Sequence, residues 1–431
     1  MIKRLFIALL LIFTLSNVHA QFLMDMIDTT KDIGKGMFSM YKKFDHISIG
    51  GYIQPEFQAG SAKGEKTFDG GDFPLNVNNR FILRRGRIRF DYARFNIKNQ
   101  PSLQFVFQFD GTERGVFIRD FWGRVFENKW QLFSFTAGMF ARPFGYEVNL
   151  GSADRESPER GRMSQILMKT ERDLGAMVSF EPRKKDNPLR HFKLDIGLFN
   201  GQGLTSATDY DSYKDLIARA AIKPFKLATN LTMSTGFSYF NGGFLQNTRY
   251  VNRTENINGV KIFVVDSSLS NINTKSPRRY AGADVQFKLK HKSGFTELRA
   301  EYWQGKQTAT VTTTETPATL LTEPSYIRKF NGAFIYLLHN IFNTHHQVGI
   351  KYDWYDPNTT VSGNEIGKAG SNLTATDIKY STLGFGYINY INENLKLLLW
   401  YEIIKNETTQ LTGYTSDVKD NIFICRLQFR F

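Results

Sequence analysis

From residue 46 to residue 431 the chain alternates between apolar and polar side chains, in segments of about ten residues. In "PSLQFVFQFD", Leu103, Phe105, Phe107 and Phe109 fall on one face and Gln104, Gln108 and Asp110 on the other. In "RYAGADVQFKLK", Ala281, Ala283, Val285, Phe287 and Leu289 oppose Tyr280, Asp284, Gln286 and Lys288. "FTELRAEYW" and "LTMSTGFSYF" repeat the pattern. A period of two puts alternate side chains on opposite faces of an extended strand. The polar faces carry full charges, so the two faces need two different solvents. No later stretch approaches the ~18 consecutive apolar residues of a membrane helix. The chain is all-β, and either an exported soluble sheet protein or a barrel that crosses a membrane as strands.

The N-terminus directs it out of the cytoplasm. "MIKRLFIALLLIFTLSNVHA" has a positive start at Lys3 and Arg4, an apolar run from Leu5 to Leu15 and a cleavage context at Val18-His19-Ala20. Residues 1–20 read as a cleaved signal peptide. Residues 21–45 follow as a short leader with helix-like spacing of Met24, Ile27, Ile33, Met37 and Met40, weakened by Gly34 and Gly36. The single cysteine, Cys425, excludes a disulfide framework.

Composition favours the membrane. Mean hydropathy is −0.34, yet Phe, Trp and Tyr make up 14 % of the chain. Abundant aromatics without apolar runs suit a barrel that meets lipid at every second residue and carries aromatic girdles. Ten-residue strands cross a bilayer when tilted. Tight connections such as Asn392-Glu393-Asn394 and "KPFK" at 223–226 alternate with long polar ones at 59–79, 141–172, 241–277, 304–325, 357–376 and 406–418. The expected fold is a transmembrane up-and-down antiparallel β-barrel over 46–431, of about 16 strands, with 14 or 18 as alternatives. Its last segment, "NIFICRLQFRF", ends on Phe431 with Phe429, Leu427, Cys425 and Phe423 on one face.

The strand "RFILRRGRIRFDY" holds the chemistry. Arg85, Arg87 and Arg89 share one face, and Ile82, Ile88, Phe90 and Tyr92 the other. A lipid-facing arginine at the bilayer midplane costs about 2–4 kcal/mol, so the arginines belong in the lumen. Arg84 then falls on the apolar face, tolerable near a strand end where it can snorkel. A guanidinium donates two parallel hydrogen bonds to phosphate and never deprotonates. Alternatively these arginines brace the wall against carboxylates such as Asp91, Asp110 or Glu297. The formal net charge of +14 favours anionic partners or permeants.

Several stretches together resemble the phosphate-selective porin O and P family of bacterial outer membranes. They are "RFILRRGRIRFDY", "TAGMFARPFGYE", "ERDLGAMVSF", "DIGLFNGQG", "DYDSYKDLIARAAIKPF" and "YDWYDPN", spread over nearly the whole barrel segment. The resemblance implies a 16-stranded homotrimeric porin with a loop folded into each pore, uptake of phosphate or related anions by diffusion, and no enzymatic activity. It makes 141–172 the inward-folded constriction loop and Phe431 the signal read by the barrel-assembly machinery. The expected partners are outer-membrane lipids and small anions, with no nucleic acid, cofactor or metal.

Candidate anion contacts in that loop are Arg142, Arg155, Arg160, Arg162, Lys169 and Arg172, facing Glu147, Asp154, Glu156, Glu159 and Glu171. Six bases against five acids make a mixed-charge eyelet, less lopsided than a dedicated phosphate filter. Acidic clusters at Asp353, Asp356 and Asn358, and at Asp209, Asp211 and Asp215, lack EF-hand spacing and read as turn chemistry. Competing functions are a phospholipase-like barrel enzyme, for which no Ser–His–acid constellation is evident, and an exported all-β binding protein or adhesin, which has no need of uniform apolar strand faces.

Overall fold

The computed structural model describes residues 47–206 and 208–431. The signal peptide and the leader expected at 1–45 lie outside the described residues. In chain order the strands are β1 (Ile47–Gly60), β2 (Asn79–Phe95), β3 (Pro101–Thr112), β4 (Gly115–Phe126), β5 (Phe133–Ala141), β6 (Arg172–Phe180), β7 (Phe192–Phe199), β8 (Asp215–Lys226) and β9 (Leu231–Leu245). They continue as β10 (Val251–Ile257), β11 (Val260–Asp266), β12 (Lys275–His291), β13 (Gly294–Ala309), β14 (Ser325–Asn340), β15 (His346–Asp356), β16 (Tyr380–Tyr390), β17 (Leu395–Asn406) and β18 (Ile422–Arg430).

Sixteen of these form one closed antiparallel wall. Each pairs with its sequence neighbour, β9 pairs with β12, and β1 pairs with β18 to close the ring. Closure leaves no wall edge with unpaired backbone groups, which a lipid environment demands. The strand faces follow the sequence. On β13, Glu297, Arg299 and Glu301 are buried inside while Leu298 and Tyr302 are exposed outside. On β18, Leu427 and Phe429 face out and Ile422, Ile424 and Arg426 are buried within.

The remaining pair, β10 and β11, is a hairpin within the β9–β12 connection, which was expected at 241–277 as one long polar stretch. Its turn is Asn258-Gly259 with φ of 52° and 79°. That dipeptide suits a two-residue turn with left-handed backbone at both positions, so the hairpin signal was present in the sequence. "KPFK" is also not a connection. Lys223 and Pro224 sit in a β-bulge of β8, opposite the β9 segment between Met233 and Thr235, where a missing ladder N–H is tolerated. The turn follows at 227–230.

Short turns lie at one end of the barrel and long loops at the other, apart from the longer β6–β7 connection, 181–191, at the short-turn end and one short connection at the other end. The β3–β4 connection, at the long-loop end, is only Glu113-Arg114.

Candidate functional site

The connection 142–171 folds into the barrel and carries its own apolar payload. Phe144, Val148, Met163, Leu167 and Met168 are buried against inward-facing Phe199, Phe240, Tyr280, Trp303, Phe330 and Tyr355. Met163 and Leu167 share one face of the short helix α1 (Arg162–Leu167), as spacing of four requires. The loop enters at Gly145, whose φ is +71°. A Cβ there would lie 2.5 Å from Glu301 Oε1 and 2.6 Å from the Trp303 ring. Only glycine combines that backbone with that closeness.

Wall strands on both sides then fasten the loop. Glu301 accepts from the backbone N–H of Tyr146 at 2.7 Å and of Glu147 at 2.9 Å. Glu147 takes the Lys351 ammonium at 2.5 Å and the Ser164 hydroxyl at 2.6 Å. Glu156 receives both terminal nitrogens of Arg299, at 2.7 and 3.1 Å. The tip reaches towards the short-turn end, where Lys396 donates to Ala153 O at 2.8 Å and Arg430 to Asp154 at 3.1 Å.

The arginine-rich strand meets this loop at one carboxylate. Glu159 accepts from Arg84 at 2.9 Å, from Arg85 at 2.9 and 2.6 Å, and from Arg426 at 3.2 Å. Burial alone would raise the Glu159 pKa; Arg84, Arg85 and Arg426 outweigh it and hold this carboxyl well below the usual range. Arg84 therefore points inward, against the lipid-face expectation. The cause is a bulge: Gln54 pairs with Arg85 and Pro55 with Leu83, leaving Arg84 as the extra residue. The same slip puts Ile82 opposite inward-facing Glu56, not beside Ile88 on the lipid face. A second bulge works identically on β4, where Arg119 is the extra residue between Ile118 and Asp120. Both charges turn inward, Arg119 to Glu171 at 2.7 Å and Asp120 to Arg172 at 3.2 Å.

The other candidate anion contacts divide. Arg87 bonds Asp110 at 2.9 Å and Ser152 at 2.7 Å. Arg89 bonds Asp91 at 2.7 and 2.9 Å. Arg172, beside Asp120 and Glu171, belongs to the same wall. Arg142, Arg155 and Arg160 are buried, and each donates to backbone carbonyls of the loop itself. Arg162 lies 3.7 Å from the ring centroid of Tyr380 and 4.6 Å from that of Phe68. Lys169 is exposed and pairs with Glu315 of the β13–β14 loop at 2.6 Å. Expected as one group of anion contacts, these residues are separated by the fold into wall, loop scaffold and rim. The acidic clusters serve turns only in part: Asp356 accepts from Asn358 N at 3.1 Å and Asp211 from Tyr213 N at 2.8 Å, whereas Asp353 on β15 accepts from Arg162 N at 3.3 Å and Asp215 on β8 pairs with Arg278 at 3.1 Å.

The lumen is lopsided. Inward residues of β13–β18 such as Trp303, Leu338, Ile388 and Trp400 are at most 1 % exposed. Along β2–β8 three basic side chains stay wetter, 34 % for Arg89, 20 % for Lys193 and 18 % for Arg119, among others such as Asp120, Asp215 and Lys223 that are buried. Basic groups descend this wall from the loop towards the short-turn end: Arg119 and Arg172, then Arg89, then Arg124, then Lys193. Arg124 faces Thr136 across the ladder, donates to its hydroxyl at 2.8 Å and lies over the Trp122 ring at 5.1 Å. Among the described residues it has no ion-pair partner. Arg119, Arg124 and Lys193 were not among the residues expected to face the lumen. The alternation "DFWGRVF" did carry a signal for Arg124, while the bulge hid Arg119. A cavity of about 20 Å³ between Asp69, Arg162, Asp353 and Glu402 holds roughly one water and is no passage.

No protein-family model and no curated protein matches this chain. Solved structures do. The outer membrane channel DcaP of Acinetobacter baumannii superposes with a TM-score of 0.54 at 12 % identity, over 89 % of this chain and 97 % of that one. OprB of Pseudomonas putida gives 0.52 at 10 % identity, over 93 % and 97 %. The chain shares the fold of outer-membrane channels. At these identities the likeness extends to architecture alone.

Proposed function

We propose that the protein is an outer-membrane channel through which small polar solutes diffuse passively, with a preference for anions that includes phosphate. It is a pore and not an enzyme on this reading. The closed barrel and its likeness to outer-membrane channels support the first part. The resemblance of its motifs to phosphate-selective porins supports the second, together with an assembly as homotrimers and insertion through the barrel-assembly machinery.

Arg124 carries the anion preference. Most basic groups along β2–β8 face carboxylates and contribute little net field. Arg124 is held by a hydroxyl and a ring and feels Asp195 and Glu181 only from beyond ion-pair distance, so its charge is less fully compensated than that of its basic neighbours and is the one best placed to attract passing anions. Planar bilayers under a potassium chloride gradient test this. The expected reversal potential has the sign of chloride preference, and Arg124→Glu moves it towards potassium. A wild-type channel that prefers potassium, or that does not conduct, overturns the proposal.

A further inference from the structure

We propose that the short-turn end of the barrel is a docking surface for anionic phospholipid headgroups, along the arc from the β2–β3 turn to the β12–β13 turn. The inference rests on the membrane-spanning fold and is independent of what crosses the pore.

Charge at the two ends differs. At the long-loop end exposed charges of both signs mix: Lys63 and Lys66 with Asp72 in loop 61–78, Arg253 with Glu255 on β10, and Lys419 with Asp417 in the β17–β18 loop. Along the short-turn arc the exposed charge is nearly one-signed. Lys98 occupies the β2–β3 turn, Lys129 the β4–β5 turn, and Lys184, Lys185 and Arg190 the β6–β7 turn. Asp186 is the exposed acid in these turns. Glu127 is occupied locally, accepting from the N–H of Trp130 at 2.6 Å and of Leu132 at 3.2 Å. Glu181 receives Lys223 at 3.1 Å.

The same turns hold apolar side chains out from the protein. Ile97, Trp130, Leu189 and Leu227 are all at least half exposed. The Lys129 ammonium sits 5.4 Å from the centroid of the Trp130 ring. Arg94 is exposed at the end of β2, opposite Leu103 and so on its lipid-facing side. Bulk water gives such apolar tips no partner. A bilayer boundary takes the aromatic and aliphatic groups at headgroup depth and sets phosphates beside the lysines and arginines. Charge complementarity thus selects an anionic lipid over a zwitterionic one.

The test uses the full folded chain in detergent, titrated separately with dioleoylphosphatidylglycerol and dioleoylphosphatidylcholine, with bound lipids counted by native mass spectrometry. Phosphatidylglycerol is expected to bind at least about fivefold more tightly. K98E/K129E/K185E removes most of that preference; its glutamine counterpart removes a smaller part and serves if the reversal prevents folding. K63E/K66E/K368E, at the long-loop end, leaves the preference intact. The inference is overturned if the wild type shows no preference, if the short-turn variants retain it, or if both sets of variants lose it equally.

Discussion

Glu159 gathers Arg84, Arg85 and Arg426 from two strands, with Arg155 of its own loop at 3.9 Å. It is 5 % exposed. Water therefore cannot replace it if its charge is removed. Breaking a buried ion pair by deleting one partner costs about 3–5 kcal/mol, because the other charge stays behind uncompensated. The ladder hydrogen bonds of β2 and β18 do not depend on this side chain, so the loss falls on loop docking. Glu159→Gln is expected to yield a folded barrel with larger, noisier single-channel currents and a shift towards anions, since guanidiniums are released into the lumen. Unchanged conductance and selectivity would show that the loop is held elsewhere. The arginine strand was legible as a lumen face because its period is two. Its partner was not, since Glu159 lies 74 residues from Arg85 and nothing local marks the pairing.

Strands were the most readable elements, and the departures in which way their residues face have a common cause. Each bulge adds one residue, reverses the facing of everything on one side of it, and leaves the composition unchanged. Arg84, Ile82 and Arg119 were misplaced or missed for that reason. Loops were readable in position but not in contact. The loop 61–78 illustrates what lies beyond sequence pattern. Its Asp69 is buried beside Glu159 and Glu56, and first burial, then those two charges, push its pKa up to about 7. The folded state thus holds a proton that the unfolded segment releases near pH 4. Between about pH 4 and 7 the native state binds more protons, so the contribution to stability falls as pH rises across that window. Glu159 has the opposite sign, its depressed pKa keeping the inward loop docked until pH falls below the ordinary carboxylate range. Limited proteolysis of loop 61–78 is accordingly expected to speed up from pH 5 to pH 8 in the wild type and to be flat in Asp69→Asn. Equal pH profiles would rule Asp69 out as the source.

At the scale of the whole molecule, the chain must bring residues nearly four hundred positions apart into register to remove its last edge. The seam is short. β1 and β18 meet between Tyr52–Arg430 and Gly60–Ile422, and beyond that the terminal residue finishes the ring, with Gly51 N donating to Phe431 O at 3.1 Å and Phe431 N to Gly51 O at 3.0 Å. Gly51 permits this. A Cβ there would sit 2.4 Å from Arg87 O, a backbone atom that cannot move aside, and 2.6 Å from the Phe431 ring. The terminal phenylalanine therefore has a physical role in closure besides the one expected of it as an assembly signal, and the two roles separate experimentally. Gly51→Leu obstructs the seam itself, so refolding from urea into detergent should give less of the heat-modifiable, compact species on unheated gels. Overpacking of this kind typically costs about 1–3 kcal/mol, and an open seam exposes the edge groups of two strands to lipid. Phe431→Ala keeps both backbone bonds to Gly51, so it should refold normally in detergent yet accumulate poorly in cells if the ring is a recognition signal. A Gly51→Leu chain that refolds as fully as the wild type would show that closure does not depend on this contact, and a Phe431→Ala chain that fails in detergent would assign the ring to closure instead of recognition.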